Sequence, residues 1–177
     1  MFVASKVLFL AFFDICRLRK GPQDIPESRN LLALGLVLYA ICSCVLMSLS
    51  ESFEIAALAA VLEVALLMIF TQALLQLKGK TSRWTQTVTA LSGTGVILSL
   101  IAIPLYLMIG VGSTEEINAD AGQGIGLMLL VLLACWNIAV MGHILRNALE
   151  INFAMAIFLS VFYILIIFNF TAAVMPI

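Results

Sequence analysis

The chain has 177 residues, of which 63% are hydrophobic and 11% are charged, and its formal net charge at pH 7 is -1. Soluble domains carry roughly 45–50% apolar and about 25% charged residues, so this composition excludes a soluble globular protein and indicates an integral membrane protein. The small net charge argues against a nucleic-acid partner.

Residues 1–29 are predicted to form an amphipathic arm in the cytoplasm. At 100° per residue, the side chains of Lys6, Asp14, Arg17 and Lys20 project within a sector of about 120°, and apolar residues cover the remaining surface. This pattern predicts an interfacial helix that lies on the inner leaflet of the membrane. The alternative is that the apolar face packs against the membrane-embedded helices, and the two arrangements are compatible.

The arm is expected to end in a turn that contains two prolines. Pro22 and Pro26 cannot continue a helix, so the chain turns there before it enters the membrane. Ser28 or Asn30 is expected to cap the first membrane span. The arm has no small-residue cleavage site, so we expect it to be retained and not removed as a signal peptide.

Residues 30–177 are predicted to form a bundle of five transmembrane helices. Each span reaches the ~20 apolar residues that a hydrocarbon core of ~30 Å requires. The predicted spans are residues 30–49, 54–77, 86–111, 124–146 and 152–174. Short connections make spans one and two, and spans four and five, antiparallel neighbours. The predicted fold class is therefore an all-α integral membrane protein, a five-helix bundle with an N-terminal interfacial helix.

The basic residues predict the orientation of this bundle. All of them fall in the arm or in every second connection between the spans, and they are Lys6, Arg17, Arg19, Lys20, Arg29, Lys78, Lys80, Arg83 and Arg146. Because basic residues resist translocation, we expect the N-terminus in the cytoplasm and the C-terminus outside.

Two polar residues are predicted to lie near the middle of the membrane, Glu63 in the second span and Asn137 in the fourth. An ionisable side chain at that depth costs at least ~2.5–3.5 kcal/mol, so it is expected to have a partner. We favour a protonated Glu63 that is hydrogen-bonded to Asn137, Tyr39 or a backbone carbonyl. The alternative is that Glu63 binds a cation or relays protons.

Other polar and small residues carry weaker indications. Two interpretations of His143 are open: with Arg146, one helical turn away, it forms a small cationic face for a lipid phosphate or an anionic partner, or it has a structural role. No Cys has a convincing ligand spacing with His143, so the sequence predicts no metal site and no cofactor. Gly93 and Gly95 in the third span, and residues 122–126 at the start of the fourth, predict close contacts between helices.

The third span reads Gln86-Thr87-Val88-Thr89-Ala90-Leu91-Ser92-Gly93-Thr94-Gly95, with a later Pro104, and the fourth contains Trp136. With the amphipathic arm and five closely spaced spans, this pattern resembles the Yip family, which is named for interaction with Ypt/Rab GTPases. The resemblance implies five membrane helices and a cytoplasmic N-terminus. The short arm is similar to that of compact prokaryotic members, so we expect a bacterial inner (plasma) membrane protein, and Rab binding is not carried over.

The predicted function is that of a non-enzymatic membrane scaffold or adaptor, because the chain lacks converging catalytic groups. Its basic cytoplasmic face is expected to bind anionic lipid, a membrane-protein partner or a second copy of the chain. That face comprises Arg17, Arg19, Lys20, Arg29, Lys78, Lys80, Arg83 and Arg146. The main alternative is a small transporter or channel subunit that uses Glu63, and an intramembrane enzyme is the third interpretation.

Overall fold

The part of the chain that the computed structural model describes, residues 10–110 and 121–174, contains helices and no strand. The arm is helical over residues 10–16, which we call α1. The five long helices are α2 (Arg29–Met47), α3 (Phe53–Leu77), α4 (Trp84–Met108), α5 (Ala121–Leu149) and α6 (Phe153–Val174). Each of the five is long and apolar enough to cross a membrane. The predicted all-α fold class with five spans is confirmed.

The helices begin and end close to the predicted boundaries, and the differences have local causes. α4 ends at Met108, three residues before the predicted end, because Gly110 adopts a positive φ of 76° that a helix does not continue through. α5 continues to Leu149, beyond the predicted residue 146, because the backbone first leaves helical geometry at Glu150, whose φ is 53°. Hydropathy locates the apolar part of a helix, whereas capping locates its end.

One end of the bundle collects the basic side chains. We call it the basic end: there α2, α4 and α6 begin and α3 and α5 end. Ser28 caps α2 as predicted, and its hydroxyl accepts a 3.4 Å hydrogen bond from the backbone N–H of Leu31. α3 ends at Leu77, Gly79 follows in the turn with a φ of 65°, and the N–H of Lys80 donates to the carbonyl of Leu75 across that turn. The acidic loop between α4 and α5 lies outside the described residues.

α2 and α4 pack closely through small residues. A Cβ placed on Gly95 would lie 2.7 Å from the ring of Tyr39, and a Cβ on Gly35 would lie 2.8 Å from the hydroxyl of Ser92. The close contact predicted for the third span is therefore present. The contact predicted for residues 122–126 is present at Gly126, where an added Cβ would lie 2.8 Å from Cγ2 of Ile109, whereas at Gly122 and Gly124 no described atom lies within 4 Å of an added Cβ.

The arm packs against α4 and α5. Ile15 is 0% exposed and Cys16 is 5% exposed, and the Phe12 ring occupies the space beside Gly93. Gly93 lies nine residues into α4, or roughly 13 Å at a rise of 1.5 Å per residue. Of the two arrangements considered for the arm, the structure shows packing against the bundle. Phe13 remains exposed on the opposite side of α1.

Candidate functional site

Glu63 lies ten residues into α3, or roughly 15 Å from its first residue, and its two carboxylate oxygens have separate partners. The hydroxyls of Tyr39 and Ser43 on α2 each donate a hydrogen bond to one of those oxygens. The prediction that Glu63 bonds to Tyr39 is thereby confirmed as one of the alternatives. Ser43 was missed, although Tyr39 and Ser43 are spaced i, i+4 and therefore project from the same face of α2.

The predicted pairing of Glu63 with Asn137 is wrong. Asn137 is exposed on α5, within a stretch, residues 134–137, that is exposed throughout. A similar distance along two helices does not place two side chains on facing sides of those helices. The neighbouring Trp136 instead donates a 3.1 Å hydrogen bond to the backbone carbonyl of Cys16 in the arm.

A second polar side chain from α6 lies near the Glu63 carboxyl. Tyr163 is 5% exposed, its ring centroid is 5.0 Å from that of Phe70, and it lies close enough to Glu63 to interact with it electrostatically. Its hydroxyl has no hydrogen-bond partner among the described residues. Among the described residues, the interior of the bundle therefore holds a bonded Glu63 and two buried hydroxyls without a hydrogen-bond partner, those of Tyr163 and Thr71.

Glu150 joins the two turns at the basic end. Its carboxylate is 2.5 Å from Nζ of Lys80 and 2.8 Å from Nη1 of Arg83, so it connects the α3–α4 turn to the α5–α6 turn. The hydrogen bonds and positive charges of these two residues hold the pKa of the exposed Glu150 carboxyl below its usual value. Glu150 has a φ of 53°, in the left-handed region that favours glycine, directly after the last residue of α5.

Arg83 also closes the last turn of α5. Its Nη1 lies 3.4 Å from the carbonyl oxygen of Asn147 and 3.5 Å from that of Ala148. The last carbonyls of a helix have no partner within the helix, and a guanidinium stabilises that end of its dipole. Lys80 and Arg83, which were predicted to belong to a free binding face, therefore have a role in joining the helices.

The remaining basic side chains form an exposed set at the same end. Lys20 pairs with Asp14 at 3.0 Å. The basic side chains that are exposed and make no ion pair with a described residue are Arg17, Arg19, Arg29, Lys78 and Arg146. The predicted basic face thus divides into residues that hold the structure together and residues that are available to bind a partner.

His143 connects α5 to the arm, while Arg146 is exposed. The Nε2 atom of His143 lies 3.1 Å from the carbonyl oxygen of Lys20, and the Asn147 amide donates to the His143 carbonyl at 2.9 Å. The His143 Nε2 atom bonds to the arm, so it does not contribute to the predicted cationic face with Arg146.

The thiol of Cys16 is buried at the same contact between the arm and the bundle, and burial raises its pKa to about 11. It is therefore a neutral, shielded group near neutral pH.

Comparisons of the chain with protein-family models, with curated proteins and with solved structures find no match.

Proposed function

We propose that the protein is a non-enzymatic membrane scaffold whose basic end faces the cytoplasm and binds an acidic surface of a membrane-protein partner. The observation that carries the proposal is the set of exposed basic side chains that make no ion pair with a described residue, which we call the free basic set: Arg17, Arg19, Arg29, Lys78 and Arg146. Charges that are already paired contribute little to a new contact, whereas unpaired ones attract an oppositely charged surface.

The cytoplasmic orientation in this proposal follows from the same residues. The basic side chains of the described segments belong to the arm or to the ends of helices at the basic end. Retention of such residues on the cytoplasmic side supports an N-terminus inside. A bacterial inner membrane location stays a prediction. Membership of the Yip family agrees with a binding function and stays a prediction.

The test is a variant in which Arg17, Arg19, Arg29 and Lys78 are replaced by Gln, while Lys80 and Arg83 are left to hold the turns. The matched control exchanges the same arginines for Lys and Lys78 for Arg, so the charges are kept. After extraction in a mild detergent, co-purifying proteins are quantified by mass spectrometry. We expect a partner that the wild type and the control recover and the Gln variant loses.

Orientation is checked in the same strains with reporters fused to both termini, because removal of basic residues also weakens the topology signal. Equal recovery of the partner by the Gln variant, with an unchanged orientation, would contradict the proposal. Recovery of a second copy of the chain would identify the partner as the protein itself.

Transport is a second candidate. The observation that favours it is the Tyr163 hydroxyl beside Glu63, which has no hydrogen-bond partner among the described residues. An ionisable residue inside a membrane span is by default a candidate member of an ion pathway or a proton relay. The test is proton and cation flux into proteoliposomes that contain the wild type or Glu63→Gln. Flux that the substitution abolishes would replace the scaffold by a transporter, whereas no flux above that of empty vesicles would exclude this candidate.

A further inference from the structure

We propose that the turn between α5 and α6 is a binding site for one anionic phospholipid, with the headgroup phosphate at Arg146 and an acyl chain along α6. The proposal does not depend on the protein partner proposed above. It requires only that the basic end lies at the level of the lipid headgroups.

The headgroup part of the site is a cleft of about 360 Å³ at the basic end. Its lining residues are Gln23, Arg83, Arg146, Asn147, Glu150 and Ile151. The Glu150 carboxylate is already bonded to Lys80 and Arg83, so the positive charge of Arg146 is left without a counterion among the described residues. A phosphate diester carries the complementary charge, and a guanidinium binds it through parallel hydrogen bonds.

The acyl-chain part is an apolar groove that begins where the cleft ends. It has a volume of about 490 Å³ and is lined by Ile151, Asn152, Ala154, Met155 and Phe158. Ile151 lines both spaces, so they meet at the α5–α6 turn. Met155 is 52% exposed and Phe158 is 64% exposed.

The order of these two spaces along the chain matches the order of the two parts of a lipid. Arg146 and Glu150 precede the turn, and Ala154, Met155 and Phe158 follow it on α6, progressively further from the basic end. The first turn of α6 also directs the positive end of its dipole at the junction, which favours an anion there. Asn152 caps that turn, since its side-chain oxygen accepts a 2.8 Å hydrogen bond from the N–H of Met155.

The occupant is a lipid because charge and apolar surface are continuous in one site. A free phosphate ion would use the cleft and leave the groove unfilled. A lipid that crosses the junction fills both the cleft and the groove. Lipid is present in excess wherever a membrane protein resides.

The experiment measures lipid binding to the purified full chain by native mass spectrometry, with dioleoyl phosphatidylglycerol as the probe and dioleoyl phosphatidylcholine for comparison. We expect one tightly bound phosphatidylglycerol and weaker binding of phosphatidylcholine. Arg146→Gln should weaken phosphatidylglycerol binding about fivefold, the effect of one basic side chain near an anionic headgroup. Arg19→Gln removes an equal charge elsewhere at the basic end and should weaken phosphatidylglycerol binding less than Arg146→Gln does.

A second pair of variants tests the groove without changing charge. Ala154→Trp fills the groove and should lower the affinity for phosphatidylglycerol, whereas Ala172→Trp, on an exposed position of the same helix, should not. Glycerophosphoglycerol, the headgroup without acyl chains, should fail to compete at the concentrations at which the lipid binds.

Three results would overturn the proposal. They are absence of a bound phosphatidylglycerol, equal losses in Arg146→Gln and Arg19→Gln, and full competition by glycerophosphoglycerol, which would identify a site for free anions. None of these results bears on recovery of the protein partner, so the two proposals fail separately.

Discussion

Docking of the arm on the bundle predicts that one added methyl group releases it. In Gly93→Ala, the new Cβ would lie 2.4 Å from Cε1 of Phe12, whereas carbon atoms pack best at about 3.5–4.0 Å. The Phe12 ring is 9% exposed, so it has to move by more than about 1 Å within a packed site. Overpacking of this kind costs about 1–3 kcal/mol.

That cost lowers the ratio of docked to undocked arm by a factor of roughly 5–150, since each 1.4 kcal/mol is tenfold. Cys16 reports the change because it is 5% exposed in the docked arm. In a background that retains Cys16 and lacks the three other cysteines, we expect the rate of maleimide labelling to rise by the same factor. Gly122→Ala is the matched control, because no described atom lies within 4 Å of its Cβ.

The effect of Gly93→Ala on Cys16 labelling should also depend on the Phe12 ring that the new methyl group displaces. In a Phe12→Ala background the Cβ at position 93 meets no ring, so Gly93→Ala should add little further labelling. A Gly93→Ala protein in which Cys16 stays protected, or an equal increase in both backgrounds, would refute docking of Phe12 beside Gly93.

Three further predictions concern the polar contacts. Ser43→Ala removes one of the two hydrogen-bond donors to Glu63, and we expect it to lower the free energy of unfolding in detergent by about 1–3 kcal/mol. An Ala substitution of the exposed Ser50 is the control. An unchanged free energy of unfolding would show that Ser43 does not satisfy the Glu63 carboxylate. The pKa of Glu150 in the folded protein is lowered from 4.5, so its contribution to stability is complete above 4.5 and is lost as the pH falls through the lower, folded-state pKa. The melting temperature of Glu150→Gln should therefore fall less on acidification than that of the wild type. Parallel curves of melting temperature against pH would exclude the Glu150 ion pairs as a source of stability. Lys80→Gln should lower the melting temperature at pH 7, whereas Lys78→Gln should not, because only the former breaks an ion pair that the structure shows; equal effects would contradict the division of the basic residues.

The architecture could be predicted from the sequence because the bilayer imposes one simple requirement on each span. An apolar run of the right length has no other stable arrangement in lipid than a helix, and the five runs appear as α2–α6 within a few residues of their predicted ends. Ser28 was also predictable, because a capping residue acts on backbone groups of its own next turn.

The contacts between distant residues were harder to predict. A helical projection places Phe12 and Ile15 on an apolar face, but it does not distinguish lipid from protein as the surface that receives this face. The Phe12 ring packs into the space that Gly93 leaves because it has no side chain, and a hydropathy profile does not reveal such a space. Similarly, the role of Glu150 depends on a left-handed turn and on two cations that come from a different connection.

The position of the arm has a consequence for how the protein is made. Trp136, which binds the carbonyl of Cys16, follows it by 120 residues. At a synthesis rate of about 5–20 residues per second, the docking surface on α5 is completed roughly 6–24 s after the arm leaves the ribosome. During that interval the arm lacks the α5 part of its docking surface, and the apolar side chains that α5 will cover contact lipid or an insertion factor. Nascent chains that stall before residue 136 should therefore be the forms that misassemble.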